Sequence, residues 1–289
     1  MDALEKKVGL FRAIFPELSD FEKEDWEENF LVEFTHDSTS IEGNTLTLIE
    51  TKMILADKIV PAETTLRELD EVRGHAEAWQ FVKDCVKRQV PLSESVIKDI
   101  HERVVPARGV GGIYRNIPVY IRGARHVPPN PRKVWEAMKN FAYRMKNDAF
   151  ADPMEKAAWI HAEFVKIHPF QDGNGWTARL LMNYHLLAHD FPPTSIKLKN
   201  RGVYFAALEE YSVGGRLAPF LQLLRRNMER ELEAFLSMYS LHIDLLSLAK
   251  EDLELADAAA LYVQRESGQP CTRDGSEGRE DKALGEKER

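Results

Sequence analysis

The chain has 289 residues, 44% of them hydrophobic and 30% charged, with a formal net charge of −8. That length supports one substantial core with a helical appendage, and the acidic balance argues against a nucleic-acid binder with a general basic face. No apolar run approaches the ~20 residues that span a bilayer, and the N-terminus has no apolar signal core. The cysteines, Cys85 and Cys271, have no metal-ligand spacing, so the expectation is a cytoplasmic protein with reduced thiols.

Residues 1–92 read as an N-terminal helical region. Within it, Glu42-Gly43-Asn44 looks like a helix stop with Gly43 as a left-handed cap. The capping-box patterns Thr47-Leu-Ile-Glu50 and Thr65-Leu-Arg-Glu68 open helices predicted at about 48–56 and 66–88. Residues 93–228 form the expected main domain. Its segment 109–131 alternates Gly-Val-Gly-Gly, the β-prone run Ile117-Pro-Val-Tyr-Ile121 and His126-Val-Pro-Pro, which predicts a small β-hairpin or extended flap. Asp152-Pro153 pairs an N-cap with a first-turn proline and predicts a helix from 153 to about 168. Ala157, Ile160, Phe164 and Ile167 recur along it at helical spacing. A long helical tract is predicted from about 200 to 263, with C-terminal helices at 229–264. The Gly-, Ser- and charge-rich tail 265–289 is expected to be disordered.

The densest chemistry lies in His168-Pro-Phe-Gln-Asp-Gly-Asn-Gly-Trp-Thr-Ala-Arg179. Gly173 and Gly175 let a backbone turn sharply and approach a ligand. The helix that follows offers unpaired N–H groups and a positive dipole end, a natural phosphate site. Arg179, one turn in, can add a charge-assisted contact. Asp172 would repel phosphates unless it holds a Mg²⁺ that bridges them, and His168 can accept a proton near neutral pH. Together these suggest phosphoryl or nucleotidyl transfer to a hydroxyl.

These twelve residues resemble the signature of the Fic family, H-x-F-x-[DE]-G-N-G-R-x-x-R, with Trp176 at the position of the first arginine. The resemblance runs from about Phe34 to Leu224. It implies an all-α helical bundle with a small β-hairpin flap, and transfer of AMP from MgATP to a Ser, Thr or Tyr hydroxyl of a target protein. By position, His168 would be the general base, Phe170 the loop anchor and Asp172 the Mg²⁺ ligand. Gly173, Asn174 and Gly175 would form the anion hole, with Trp176, Thr177 and Ala178 lining it, and Arg179 would hold the γ-phosphate. Gly123, Ala124, Arg125 and His126 of the flap would touch the nucleotide, and the flap would align the target segment by strand addition. Tyr204 and Phe205 either line the adenine pocket or are core aromatics.

A second motif, Ser38-Thr-Ser-Ile-Glu42-Gly43-Asn44, resembles the inhibitory motif [ST]-x-x-x-E-[GN] of self-inhibited members and would pair Glu42 with Arg179. Trp176 offers one indole N–H and no charge. Losing a donor to transition-state charge costs on the order of 10²–10³ in rate, so weakened transfer is expected, with the tryptophan packed over the anion hole or altering the nucleotide pose. The competing readings are removal of AMP with Glu42 positioning water, a nucleotide-binding regulator without turnover, or transfer of another phosphate-containing group. A homodimer is compatible with the resemblance.

Overall fold

The computed structural model describes residues 2–105, 109–239 and 252–266. The chain folds into helices and turns, with no strand among the described residues. α1 (Ala3–Ile14) and α2 (Asp20–Ile41) open it, followed by α3 (Leu48–Leu55) and α4 (Leu66–Lys87). Next come α5 (Glu94–Val104), α6 (Pro131–Asn147), α7 (Pro153–Ile167) and α8 (Asn174–Leu187). α9 (Arg201–Gly214), α10 (Ala218–Tyr239) and a last helix, Leu253–Glu266, complete the order.

Local chemistry starts these helices where the sequence predicts. Thr47 and Glu50, and Thr65 and Glu68, form reciprocal capping boxes, each satisfying two orphan backbone donors. Asp152 accepts from the Glu155 N–H, with Pro153 at the first helical position. Two further boxes, Asp2 with Glu5 and Ser19 with Glu22, open α1 and α2.

α8 sits at the centre. It is buried on nearly every side, from Asn174 through Leu186, as expected of a helix apolar around most of its circumference. α7 packs along it, α2, α4 and α5 cover one flank, and α6, α9 and α10 pack against α7. The predicted stripe of α7 is buried throughout, with Ala157, Ile160, Phe164 and Ile167 in the core. α1 lies against α10 and the last helix, so a single apolar cluster runs from Leu4 to Ala259.

Three expectations change. The tract from 200 to 263 is not continuous: Gly215, at φ 72°, caps α9 and separates it from α10. The last helix continues through Glu266, past the predicted start of the tail, while 240–251, the rest of the tail and Cys271 lie outside the described residues. The third is the predicted hairpin, because residues 115–130 form extended chain and turns without strand pairing. Pro118, Pro128 and Pro129 each lack the N–H that a ladder needs. The tip is closed only by a turn in which the Ala124 N–H donates to the Ile121 carbonyl, with Gly123 at φ 83°.

The interior also holds several neutral histidines. Burial pushes His75, His101 and His185 down to about 3 and His161 well below its ordinary value. An unfolded chain takes up protons on these side chains below about pH 6.5 that the folded chain refuses. Stability therefore falls as pH drops through that value, by up to ~1.4 kcal/mol per pH unit for each histidine. The urea midpoint should fall steadily from pH 7 to pH 5.5, above the range where carboxylates titrate, and a flat midpoint would refute the neutral-histidine core.

Candidate active site

The site is built where α7 ends. His168 is the C-cap residue of α7 and adopts the left-handed conformation, φ 50° and ψ 60°, which usually falls to glycine and costs a side chain roughly 1–2 kcal/mol. Its amide is retained by the Phe164 carbonyl at 2.9 Å. Nδ1 lies 3.3 Å from the Val165 carbonyl. A carbonyl only accepts, so the proton sits on Nδ1 and the Nε2 lone pair is left available. Burial lowers the imidazole to about 4, assisted by the nearby Arg115 and opposed by Glu42.

From His168 the loop descends into the core through Phe170, which is fully buried. Asn174 closes the loop on Phe170: Oδ1 accepts from the Phe170 N–H and Nδ2 donates to the Phe170 carbonyl, both at 2.9 Å. The Asn174 side chain thus shapes the loop from behind, which leaves only its backbone N–H for the predicted anion hole. Gly173 is at φ 74°, and a Cβ there would come within 2.9 Å of Val105 Cγ1. Both the conformation and the space demand glycine. Thr177 Oγ1 donates to the Gly173 carbonyl at 2.9 Å. No side chain caps the N-terminus of α8, which leaves its first-turn amides and positive dipole end facing the cavity.

Two supporting residues escaped the sequence reading. His101 of α5 stacks on Phe170 with ring centroids 3.6 Å apart. It donates from Nε2 to the Asp172 carbonyl at 2.8 Å and accepts at Nδ1 from the Gly112 N–H at 2.9 Å. Arg115 is buried and collects carbonyls. Nε donates to His168 at 2.8 Å, Nη1 to Ile117 at 3.2 Å and Nη2 to Pro129 at 2.6 Å. Its own amide donates to the Pro169 carbonyl at 2.9 Å. A carbonyl-collecting arginine and a loop-bracing histidine leave no local sequence pattern.

The loop floors a cavity of about 890 Å³. Asp172, Gly173, Asn174, Gly175 and Trp176 border it on one side and Gly123, Ala124, Arg125 and His126 on another. Phe205 and Tyr204 of α9 close a third, and Glu42 enters at the end of α2. Thr177, Ala178 and Arg179 are buried beneath that floor. His126 donates to the Lys166 carbonyl at 2.8 Å and Arg125 to Glu209 at 3.1 Å, tethering the segment across the opening. Phe205 is 40% exposed, with Arg201 stacked 5.1 Å above its ring. Tyr204 is buried and directs its hydroxyl to Arg179, so much of its surface belongs to the core.

Arg179 is fully buried. Nε donates to Ser38 Oγ at 2.8 Å, Nη2 to the Ser38 carbonyl and to Glu42 Oε1, each at 2.9 Å, and Nη1 to the Tyr204 hydroxyl at 3.2 Å. The predicted pairing of Glu42 with Arg179 is therefore present. Trp176 borders the cavity floor beside Gly175 but commits its indole N–H to α2. It is 3% exposed, and its indole Nε1 donates to the Ser38 carbonyl at 3.1 Å. Three residues apart on α8, Trp176 and Arg179 share a face and meet α2.

Among the described residues no cluster of three His, Cys, Asp or Glu side chains could hold a metal ion. The Asp172 carboxylate borders the cavity and accepts from the Gly173 N–H at 2.9 Å; it fits Mg²⁺ arriving with a nucleotide, since that ion takes one or two carboxylates and completes its shell with phosphates and water.

The sequence profile of the Fic/DOC family matches residues 91–186, the stretch that contains the whole loop. Residues 91–186 of this chain are a Fic/DOC family domain. It is 35% identical over 215 residues to the protein adenylyltransferase Fic of Nematostella vectensis, covering 71% of this chain and 48% of that protein. It is 32% identical to the protein adenylyltransferase fic-1 of Caenorhabditis elegans over 211 residues, 70% of this chain and 41% of that one. The chain thus spans half or less of the length of these relatives. A solved structure of C. elegans Fic-1, residues 134–508, superimposes with a TM-score of 0.72 at 28% identity, covering 81% of this chain and 71% of that one. A Fic domain protein from Bacteroides thetaiotaomicron shares the fold, with a TM-score of 0.73 over 80% of this chain and 94% of that chain, at 24% identity.

In this Fic domain, Arg115 ties the loop to segment 117–129. Arg115→Met should strip donors from three carbonyls, each hydrogen bond to a charged group being worth ~1.5–3 kcal/mol net, and lower stability by at least roughly 3 kcal/mol. Arg115→Lys, lacking the planar fork, should recover only part of that loss. Limited trypsin cleavage at Arg122 and Arg125 should accelerate with the methionine variant, and unchanged cleavage would refute the clamp.

Proposed function

We propose that this chain transfers AMP from MgATP to a hydroxyl side chain of a target protein, and that the end of α2 restrains the reaction. The reading rests above all on Glu42 Oε1 meeting Arg179 Nη2 at 2.9 Å beside an uncapped helix N-terminus and a neutral histidine. The adenylyltransferase names of the relatives from N. vectensis and C. elegans support the same chemistry.

In this mechanism the nucleotide phosphates lie on the backbone N–H groups that begin α8, with Asp172 binding the Mg²⁺ they carry. The target hydroxyl sits between His168 and the α-phosphorus, its segment lying along the extended backbone at 117–122. His168 Nε2 takes the hydroxyl proton as the oxygen bonds to phosphorus, and the bond from the α-phosphorus to the bridging oxygen breaks, releasing pyrophosphate. The Val165 carbonyl holds the tautomer that this requires. Arg179 is the cation for the terminal phosphate, and Glu42 already occupies it. The carboxylate therefore competes with the γ-phosphate for the same N–H groups and repels it by charge.

Glu42 also favours a second reading. Its side chain is 34% exposed and borders the cavity that His168 enters, so it can orient a water against an AMP-modified target. The two readings predict opposite consequences of removing it.

Glu42→Gly should raise incorporation of labelled AMP, by about 5- to 150-fold if the coupling is a typical 1–3 kcal/mol, and adding His168→Ala should abolish it. Release of AMP from a modified target that collapses in Glu42→Gly would favour the second reading. Absence of label in every variant, including Glu42→Gly with Trp176→Arg, would overturn transfer altogether. Because His168 stays neutral down to about pH 4, the released variant should hold its rate through pH 6. Its acid limb should lie well below the 6.5 of an ordinary histidine.

A further inference from the structure

The last turn of α2 is irregular in a way that exposes one acceptor. In a regular helix the Glu42 N–H would donate to the Ser38 carbonyl. Here it donates to Thr39 instead, at 3.0 Å, while Gly43 donates to Ser40 and Asn44 to Thr39, both at 3.1 Å. The Ser38 carbonyl faces α8 and accepts two donors from it, Arg179 Nη2 at 2.9 Å and Trp176 Nε1 at 3.1 Å. A carbonyl has two lone pairs, and both are used.

Resting on the proposed activity, we infer that Trp176 is a positioning residue of the restraint and not part of the phosphate site: it fastens the C-terminal turn of α2 in the register that places Glu42 on Arg179. The two donors differ in what can pull them away. Arg179 is a cation that a nucleotide phosphate recruits, so nucleotide binding weakens its hold on Ser38. The indole is neutral, is 3% exposed at the cavity's edge, and commits its one N–H to α2. Phosphate has no comparable hold on it. When Arg179 turns toward a nucleotide, Trp176 keeps the α2 turn docked, and Glu42 stays beside its partner. An arginine at 176 would be drawn to phosphate together with Arg179, and both fasteners would open at once. The tryptophan makes the restraint harder for nucleotide to release while removing one cation from the loop.

The test compares labelled AMP incorporation by the full chain, Trp176→Phe, Glu42→Gly and the double variant, together with amide hydrogen exchange in residues 39–42. Trp176→Phe keeps an aromatic ring in the core and loses the N–H. It should raise incorporation about two- to tenfold, the worth of one net hydrogen bond, and speed exchange at 39–42 while α8 stays protected. In the Glu42→Gly background the same substitution should change nothing. Trp176→His, which retains a ring N–H, should fall back toward the unsubstituted chain. The inference is overturned if Trp176→Phe lowers incorporation equally in both backgrounds, which would place the indole at the nucleotide. Unchanged exchange at 39–42, or equal activation by Trp176→His, also overturns it. Should even Glu42→Gly incorporate no label, transfer fails, and the exchange measurement still decides whether Trp176 fastens α2.

Discussion

The structure is organised around one buried cation. A guanidinium taken fully out of water costs several kcal/mol unless its N–H groups find acceptors in good geometry. Arg179 lies in the second turn of α8, and the acceptors come from α2 and α9. Burial works against its charge, yet Tyr204 and Glu42 more than offset it, so the group is held above its ordinary value. An uncompensated arginine at this depth would not be tolerated. The end of α2 is therefore bound to the active-site helix by electrostatic necessity as much as by packing.

The same cation sets the state of its neighbours. Arg179 donates to the Tyr204 hydroxyl, whose oxygen lies 3.2 Å from His161 Nε2. Burial and Arg179 together keep His161 neutral. His75 stays neutral for the same two reasons, and its Nδ1 pairs with Thr35 Oγ1 at 3.0 Å. Arg179 and its counter-charge Glu42 thus lie beside a set of neutral groups, Tyr204, His161 and His75. On the proposed reading, phosphate in place of Glu42 would exchange one anion for another and leave that arrangement intact, so the site would change occupant without unfolding around it.

What could be read in the sequence was local. The capping boxes at Thr47 and Thr65, the proline after Asp152 and the glycines around Asn174 act within a few residues of themselves, so composition and spacing carry them. Glu42 was legible through its resemblance to a known motif, and the structure places it on Arg179. The failures are long-range or depend on geometry. Trp176 was expected to pack over the anion hole or alter the nucleotide pose, and its tie to α2 was not foreseen, because the acceptor is a backbone carbonyl 138 residues away, which no side-chain pattern records. Arg115 likewise spends its donors on carbonyls of His168, Ile117 and Pro129. The segment it holds read as a hairpin from its β-prone residues, whereas its prolines and this side-chain clamp determine its path.

Gly175 shows how closely restraint and chemistry share one space. A Cβ built there would lie 2.0 Å from Glu42 Oε1 and 3.3 Å from Arg179 Nη1. Any larger residue would expel the carboxylate, so the contact between Glu42 and Arg179 exists only because the loop is bare at this point. That bareness is also what allows a phosphate to approach the first-turn amides of α8. On the proposed reading the two requirements are met by the same missing atom, and Glu42 and the nucleotide's terminal phosphate would compete for a single volume. Regulation of that kind would need no distant site and no transmitted movement. It would follow from two anions that cannot both occupy the ground beside Arg179, with the fastening of α2 deciding how readily the resident one yields.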